Sequence, residues 1–362
     1  MSKSTYKWTP DYAIPPGWLL EEYLEDRGYS QAEFARRCGR SPKLISEIIA
    51  GKAPIELDTA LQFEKILGLG ADIWLGIESS YRLQLAKEAE AKRAAAQTKW
   101  AKSFPIRELV KRGCFPHPES DADRVTKLLT FFCVASSDAW KTKYSYANVA
   151  YRHSPTFTSS EEAVATWFRL GEIEAEQQEC APYNKSQFQK AVRSIRDLTR
   201  EPIDNALLQQ TQKLCNEAGV VFALVKPLRR MALSGAAWWL SPRKAVVQLT
   251  ARHKRADHLW FSFFHEAAHI LLHDKRSVFV DENNESDTDQ ESEANKWASN
   301  MLIPEAAWKQ ISQASPLNAK TVKEFAKEQG IAPGIVVGRL QHEGIIDWSH
   351  LNNLKVRLGW GS

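Results

Sequence analysis

Residues 265–269 read His265-Glu266-Ala267-Ala268-His269, inside a segment that is apolar on both sides. On an α-helix, positions i and i+4 are neighbours about 5 to 6 Å apart, so the two imidazoles can converge on one tetrahedral metal ion. Glu266, one residue along, reaches a water at that ion without ligating it. Such a set performs hydrolysis: the metal lowers the pKa of the water to about 7, and the carboxylate carries its proton to the leaving amine. A third protein ligand is needed. Glu291 opens the stretch Glu291-Ser292-Glu293-Ala294-Asn295 on the following helix and can swing back against the first. Glu293 faces another side of that helix and stands in reserve, while a capping box with Thr288 is the structural use that competes for Glu291. His273 lies about 12 Å from His265 at a rise of roughly 1.5 Å per residue, too far to close the tetrahedron. It suits a helix C-terminal cation or a donor behind a ligand.

The elements that must position these residues follow from the surrounding pattern. Three short β-branched or aromatic runs, GVVFALVKP, SGAAWWL and KAVVQLT, predict strands from about Gly219 onward. A helix is expected from about Ala256 to His273, then the acidic run from Asp281 to Glu293 as a solvated loop, then a helix through ANKWASNML that ends before Pro304. The backbone of residues 234–240 is expected to hold a substrate by edge pairing. Residues 105–204 read as helical, with loops around His153 to Ser160 and Ala181 to Lys185, and hold no catalytic constellation. Residues 81–104 combine strong helix formers with dense charge and stop before Pro105, which predicts an exposed connecting helix. Trp238, Trp239, Trp260 and Trp297 sit among core-patterned neighbours and are expected to pack. The stretch 325–340 imitates a helix-turn-helix, yet it offers Ile335, Val336 and Val337 where a DNA reader needs polar groups, so packing is expected there too.

A second constellation occupies residues 30–52, SQAEFARRCGRSPKLISEIIAGK. Ser30 can cap a helix with Glu33 completing a capping box, Ala35 allows a close helix crossing, and Gly39 permits a left-handed turn. Ser41 then caps a second helix with Pro42 in its first turn. Leu44, Ile45 and Ile48 point inward, leaving Lys43, Ser46 and Glu47 outward. Between Arg36 and Lys52 five basic residues stand against one acid, a balance that suits a major groove flanked by phosphates.

Composition narrows the class. At 362 residues the chain exceeds one domain, and 43% hydrophobic with 25% charged residues excludes a disordered or collagen-like chain. A net charge of +4 means that nucleic-acid binding must come from a local patch. Five scattered cysteines without a C-x-x-C pair argue against a disulfide scaffold or thiolate zinc site and fit a reducing cytosol. The N-terminus lacks an apolar signal region, and no apolar run approaches the roughly 20 residues that span a bilayer, so cytoplasmic localisation without membrane contact is expected.

Two family resemblances sharpen these readings. PPGWLLEEYLEDRGYSQAEFARRCG followed by SPKLISEIIAGKAPIELDTALQFEKILGLGADIWLGIE resembles the lambda-repressor-like helix-turn-helix family and, over residues 12–85, HigA-type antitoxins. The likeness implies that Gln31, Lys43, Ser46 and Glu47 meet DNA, with Arg40 and Lys52 on phosphates. Pro42 and Glu47 depart from the glutamines common at those positions, so no base preference carries over. HEAAHILLH followed by ESEANKWASNMLIP resembles the ImmA/IrrE-type zinc metallopeptidases across about residues 205–345. It implies zinc on His265, His269 and Glu291, catalysis by Glu266 and a supporting role for Asn295; Ala268 replaces the usual glycine.

The expected fold class is multidomain and mainly α. It comprises an all-α helix-turn-helix domain (1–80), a helical connector (81–104), a helical middle region (105–204) and an α+β zincin-like metallopeptidase domain with C-terminal helices (205–362). The expected function is a DNA-binding regulator whose zinc-dependent endopeptidase domain cleaves a repressor or antitoxin, in cis or in trans, in a stress, prophage or toxin–antitoxin response. The alternative is a HigA-like antitoxin and autorepressor whose zinc domain is a sensor or structural element. Expected partners are double-stranded operator DNA, a protein substrate, a cognate toxin and a second copy of the chain.

Overall fold

The computed structural model describes residues 14–144, 160–250, 252–273, 279–282 and 289–358. The loop expected around His153 to Ser160 lies largely outside them, as do residues 283–288 of the acidic run, Thr288 included. The chain divides into two compact units, residues 1–99 with 119–126, and residues 100–118 with 127–362.

The first unit is built on α1 (Pro16–Asp26), α2 (Gln31–Cys38), α3 (Pro42–Ile49), α4 (Leu57–Leu67) and α5 (Ala71–Ala96). Its core holds Leu20, Phe34, Ala35, Ile45, Ile48, Phe63 and Trp74, each fully buried. Phe63 packs between Phe34 and Trp74, with ring centroids 5.0 and 5.4 Å away. Ser30 Oγ accepts from the Glu33 amide and Ser41 Oγ from the Leu44 amide, each at 3.2 Å, so both helices start where the serines place an acceptor. Gly39 ends α2 in the left-handed region at φ 63°. The expected capping box forms only in part: the Glu33 carboxylate turns to Arg36 and Arg37, 2.9 Å from each, because two guanidiniums on its own face outcompete one amide. Helix α5 continues unbroken through residue 80 to Ala96.

In the second unit, α6 (Thr98–Ala101, from Trp100 onward), α7 (Ile106–Lys111), α8 (Asp121–Phe131, from Lys127 onward) and α9 (Ser137–Lys143) gather Trp100, Phe104, Phe132, Trp140 and Tyr144 into a cluster of edge-to-face and tilted aromatic rings. Then follow α10 (Glu161–Gln177), α11 (Lys185–Leu198), α12 (Asn205–Glu217), β1 (Val220–Leu224), β2 (Leu233–Ser241), β3 (Lys244–Leu249), α13 (Ala256–Leu272), β4 (Phe279–Glu282), α14 (Asp289–Leu302), α15 (Glu305–Ser312), α16 (Ala319–Gln329) and α17 (Pro333–His342). The sheet order is β1-β3-β2-β4, with β1 parallel to β3 and the other two pairs antiparallel.

Both faces of the sheet are covered, which is why its strands read as continuous apolar runs. On one face Ala245, Val247 and Leu249 join the core of α13. On the other, Gln248 Nε2 donates to the Trp167 carbonyl at 2.7 Å, Trp167 Nε1 to the Val225 carbonyl at 3.1 Å, and Trp238 meets Phe168. The helices of residues 160–200 and the sheet thus share one packed body. Ile335, Val336 and Val337 are buried in its core, as their apolar pattern requires, and so are Trp238 and Trp260. No helix among the described residues is long and apolar enough to cross a membrane. All five cysteines are free thiols.

Candidate metal centre

Helix α13 is apolar all round, with 14 of its 17 residues buried, so it runs through the middle of its unit. Its first turn carries no side-chain cap. Instead the Ala256 amide donates to the Val356 carbonyl at 3.0 Å, and Lys355 pairs with Asp257 at 2.7 Å, so the C-terminal segment fixes the helix start. Helix α14 begins at Asp289, which places Glu291 in its first turn and Glu293 in the turn that follows, so the end of the acidic run expected as a loop is helical. The two helices pack side by side along the stripe His269, His265, Phe261 on one and Glu291, Asn295, Ser299 on the other.

The side chains at the head of that groove converge. His265 Nε2 lies 3.0 Å from His269 Nε2, 3.2 Å from Glu291 Oε2, and His269 Nε2 lies 3.4 Å from Glu291 Oε1. His265 and His269 are each 1% exposed. Among the described residues this trio is the one group of three or more potential ligands whose donor atoms lie within 4.8 Å of one another.

Hydrogen bonds behind the rings decide which nitrogens face the centre. His265 Nδ1 sits 2.9 Å from Asn295 Oδ1, an atom that only accepts, so His265 donates there and its Nε2 carries the lone pair. Behind His269, Glu293 Oε2 takes the Nε2 proton of His273 at 3.2 Å, and His273 Nδ1 then accepts from His269 Nδ1 at 2.9 Å. His269 therefore also turns a lone pair inward. Burial pushes the His269 pKa down to about 4. For Glu291, burial pushes the pKa up, but the His265 and His269 side chains against its two oxygens outweigh it and hold the pKa at about 2. His265 Nε2, His269 Nε2 and the two Glu291 oxygens thus face one another across 3.0 to 3.4 Å, close enough for one cation to be held by all three side chains. Two imidazoles and a carboxylate also form a three-ligand set that leaves a fourth position open.

Glu266 is fully buried beside His265 and faces β2: a Cβ placed on Gly235 would stand 2.7 Å from Glu266 Oε1. Gly235 is a site residue that the sequence reading missed, since its role lies in the side chain it does not have. The outer edge of β2 differs from the expectation. Strand β4 pairs with Leu233, Gly235, Ala236 and Ala237, so this stretch of the edge is already occupied. The apolar signal of the acidic run was too short to announce a strand, and the pairing partner is four residues long.

On the first unit, Gln31, Lys43, Ser46 and Lys52 are exposed, with Lys43 at 83% of its side chain. Arg40 is half-buried and donates to Gln62 Oε1 at 2.8 Å, and Glu47 lies 3.8 Å from Lys43. Of the basic residues expected on the DNA face, Lys43 and Lys52 are the ones that reach solvent without a short ion pair among the described residues.

Comparison with known proteins agrees with this division. Residues 20–74 match the helix-turn-helix family, and residues 221–340 match a peptidase family described as the IrrE N-terminal-like domain. Virulence-associated protein I of Dichelobacter nodosus is 38% identical over 77 residues, 21% of this chain and 71% of that protein. Among solved structures, Pseudomonas aeruginosa antitoxin HigA with higBA promoter is 28% identical, with 23% of this chain and 90% of that chain covered and a TM-score of 0.22. A HigA-family addiction module antidote protein from Coxiella burnetii is 26% identical, with 24% and 94% covered and a TM-score of 0.22. Through its N-terminal segment the chain belongs to the helix-turn-helix family, and at its C-terminus it carries an IrrE N-terminal-like domain of the peptidase type.

Proposed function

We propose that the protein is a DNA-binding regulator whose second unit is a zinc-dependent endopeptidase acting on a repressor or antitoxin-like protein. The observation that carries this reading is the inward convergence of His265 Nε2, His269 Nε2 and the Glu291 carboxylate next to the buried Glu266. His265, His269 and Glu291 would hold the zinc, which when bound polarises the scissile carbonyl and lets a water lose its proton near neutral pH. Glu266 accepts that proton and returns it to the leaving nitrogen. Asn295 and His273 keep the two imidazoles in the tautomer that ligates.

A substrate must lie extended to be cut. Residues 86–96 complete α5 and residues 98–101 form α6, so the chain's own connector would have to unwind first. That favours cleavage of a separate partner, in trans. On the first unit, Lys43, Ser46 and Gln31 are suited to reach the major groove and Lys52 a phosphate, with Arg40 and Glu47 in supporting positions. A second copy of the chain would present the same face to the other half of a palindrome about 34 Å away.

The test incubates zinc-loaded wild type and Glu266→Gln with candidate repressor and antitoxin proteins encoded beside it, with and without operator DNA, and maps fragments by mass spectrometry. Glu266→Gln should keep zinc and lose cutting. Fragments produced equally by both proteins would identify a contaminating protease. Zinc binding with no fragment under any condition would replace this reading with that of an antitoxin-like autorepressor whose zinc domain is a sensor.

A further inference from the structure

Next to the residues expected to meet DNA, the first unit holds a buried ion pair that they do not explain. Glu78 of α5 has only 7% of its side chain exposed, and its Oε1 accepts from Arg82 Nε at 2.6 Å. The same guanidinium donates through Nη1 to the Gly51 carbonyl at 3.1 Å, 31 positions away in sequence. Gly51 stands in the turn after α3 and immediately precedes Lys52. We infer that Arg82, held by Glu78, is a positioning residue for DNA binding: it fixes the turn that carries Lys52, so that the lysine is presented to its phosphate. This rests on the reading of Lys52 proposed above.

The turn is shaped to take the contact. Gly51 lies in the left-handed region at φ 69°, and a Cβ there would stand 2.7 Å from Tyr81 Oη, so Tyr81 of α5 seats directly against the glycine. On the other side the Lys52 and Ala53 amides both donate to the Glu47 carbonyl, at 2.8 and 3.1 Å, which ties the turn to α3. The backbone that carries Lys52 is therefore held between the recognition helix and α5. Lys52 itself is exposed. A long exposed side chain loses entropy when a phosphate orders it, and a backbone fixed beforehand leaves less to be ordered on binding.

Arg82 acts through this turn and not on DNA directly. Its charge is matched by Glu78, and its Nη2 is buried, with no hydrogen-bond partner among the described residues. A carboxylate buried without a counter-charge is costly, so Glu78 selects the arginine rotamer that also reaches Gly51. The guanidinium lies 5.3 Å from the centre of the Tyr81 ring, which packs the two α5 residues together over the turn.

The test follows binding of the full-length protein to a labelled duplex from upstream of its own coding sequence, by fluorescence anisotropy over a salt series. It compares wild type, Lys52→Ala, the paired variant Glu78→Met with Arg82→Met, and the combination of all three changes. Replacing both charges leaves neither one buried alone. The paired variant should bind about threefold to tenfold more weakly than wild type, with the salt slope lower by about one, because it loses the phosphate contact of Lys52. A merely less stable fold would lower the active fraction and leave the slope unchanged. On top of Lys52→Ala the pair should weaken binding by less than about twofold more, since the lysine that it positions is gone. If the paired variant fails to fold, Arg82→Lys keeps the pairing with Glu78, gives up Gly51 and carries the same expectations. The inference is overturned if the folded variant keeps wild-type affinity or slope, or if its effect adds in full to that of Lys52→Ala. Wild-type affinity and slope in Lys52→Ala would remove the DNA reading of that lysine, and the inference with it.

Discussion

Truncating Asn295 to alanine isolates the hydrogen bond that would orient His265, one of the three proposed metal ligands. Its Oδ1 sits 2.9 Å from His265 Nδ1, while the residue itself is exposed on α14, so removing the amide costs the core nothing. Without that acceptor the His265 ring is free to rotate, and its proton can move to Nε2, the nitrogen that must face the metal. Loss of a partner behind a ligating histidine typically costs about 10- to 100-fold in metal affinity, or roughly 1.4 to 2.8 kcal/mol. Asn295→Ala should therefore bind zinc 10- to 100-fold more weakly than wild type in competition with a fluorescent chelator. His273→Ala should give a loss of the same order, because it removes the acceptor behind His269. Glu291→Gln should lose more than either, since it replaces a ligand and deletes a buried charge. Wild-type affinity in Asn295→Ala would refute the orienting role of the amide, and wild-type affinity in Glu291→Gln would refute the ligand set itself.

Three further outcomes follow from other parts of the molecule. Gly235→Val should keep zinc by elemental analysis yet lose peptide cleavage, because the new side chain meets Glu266 Oε1 and Leu249 Cδ2, each 2.7 Å from where its Cβ would stand; retained cleavage would separate Glu266 from the chemistry. His258 is held mainly by burial at a pKa of about 4, against an ordinary 6.5, so between those values the unfolded chain binds the extra proton and stability falls as pH drops. Urea midpoints measured from pH 7 down to 4.5 should fall less steeply in His258→Asn, by the equivalent of roughly 1 to 3 kcal/mol across the window, and parallel curves would show that His258 titrates normally. Lys43→Ala and Lys52→Ala should each weaken operator binding and lower the salt slope by about one, measured by fluorescence anisotropy. Arg36→Ala should change it less, because Glu33 already holds that guanidinium; the reverse order would move the DNA face onto α2.

The helix-turn-helix was legible because its signals are local. Ser30 and Ser41 cap helices three residues from the amides they accept from, and Gly39 adopts the left-handed turn that its type permits. What local pattern could not reveal was competition between partners. Glu33 has an amide and two guanidiniums within reach, and which it takes depends on the energies of finished contacts, not on spacing. Arg40 likewise pairs with Gln62, 22 positions away, and so lies half-buried where its charge alone would have left it fully exposed. The packing of residues 160–200 on the sheet rests on pairs such as Gln248 with Trp167, 81 positions apart, which no periodicity reports.

In the metal centre the same rule separates what spacing fixes from what it does not. His265 and His269 come together because 3.6 residues make a turn, so their mutual placement is written into five consecutive residues. Glu291 belongs to another helix, and sequence leaves it in competition with Glu293 and with a cap at Thr288. The structure assigns the two glutamates different positions: Glu291 meets both Nε2 atoms, whereas Glu293, two residues on and 61% exposed at its side chain, reaches only the outer imidazole of His273. On a helix two residues are about 200° apart, so one of the pair had to face the groove and the other its margin. The choice between them was set by the rotation of α14 about its axis, which Ala294, Ala298 and Leu302 determine by burying their own face in the core. An apolar stripe that carries no chemistry thus decides which carboxylate becomes the candidate ligand, and it does so from positions where the sequence shows only alanine and leucine.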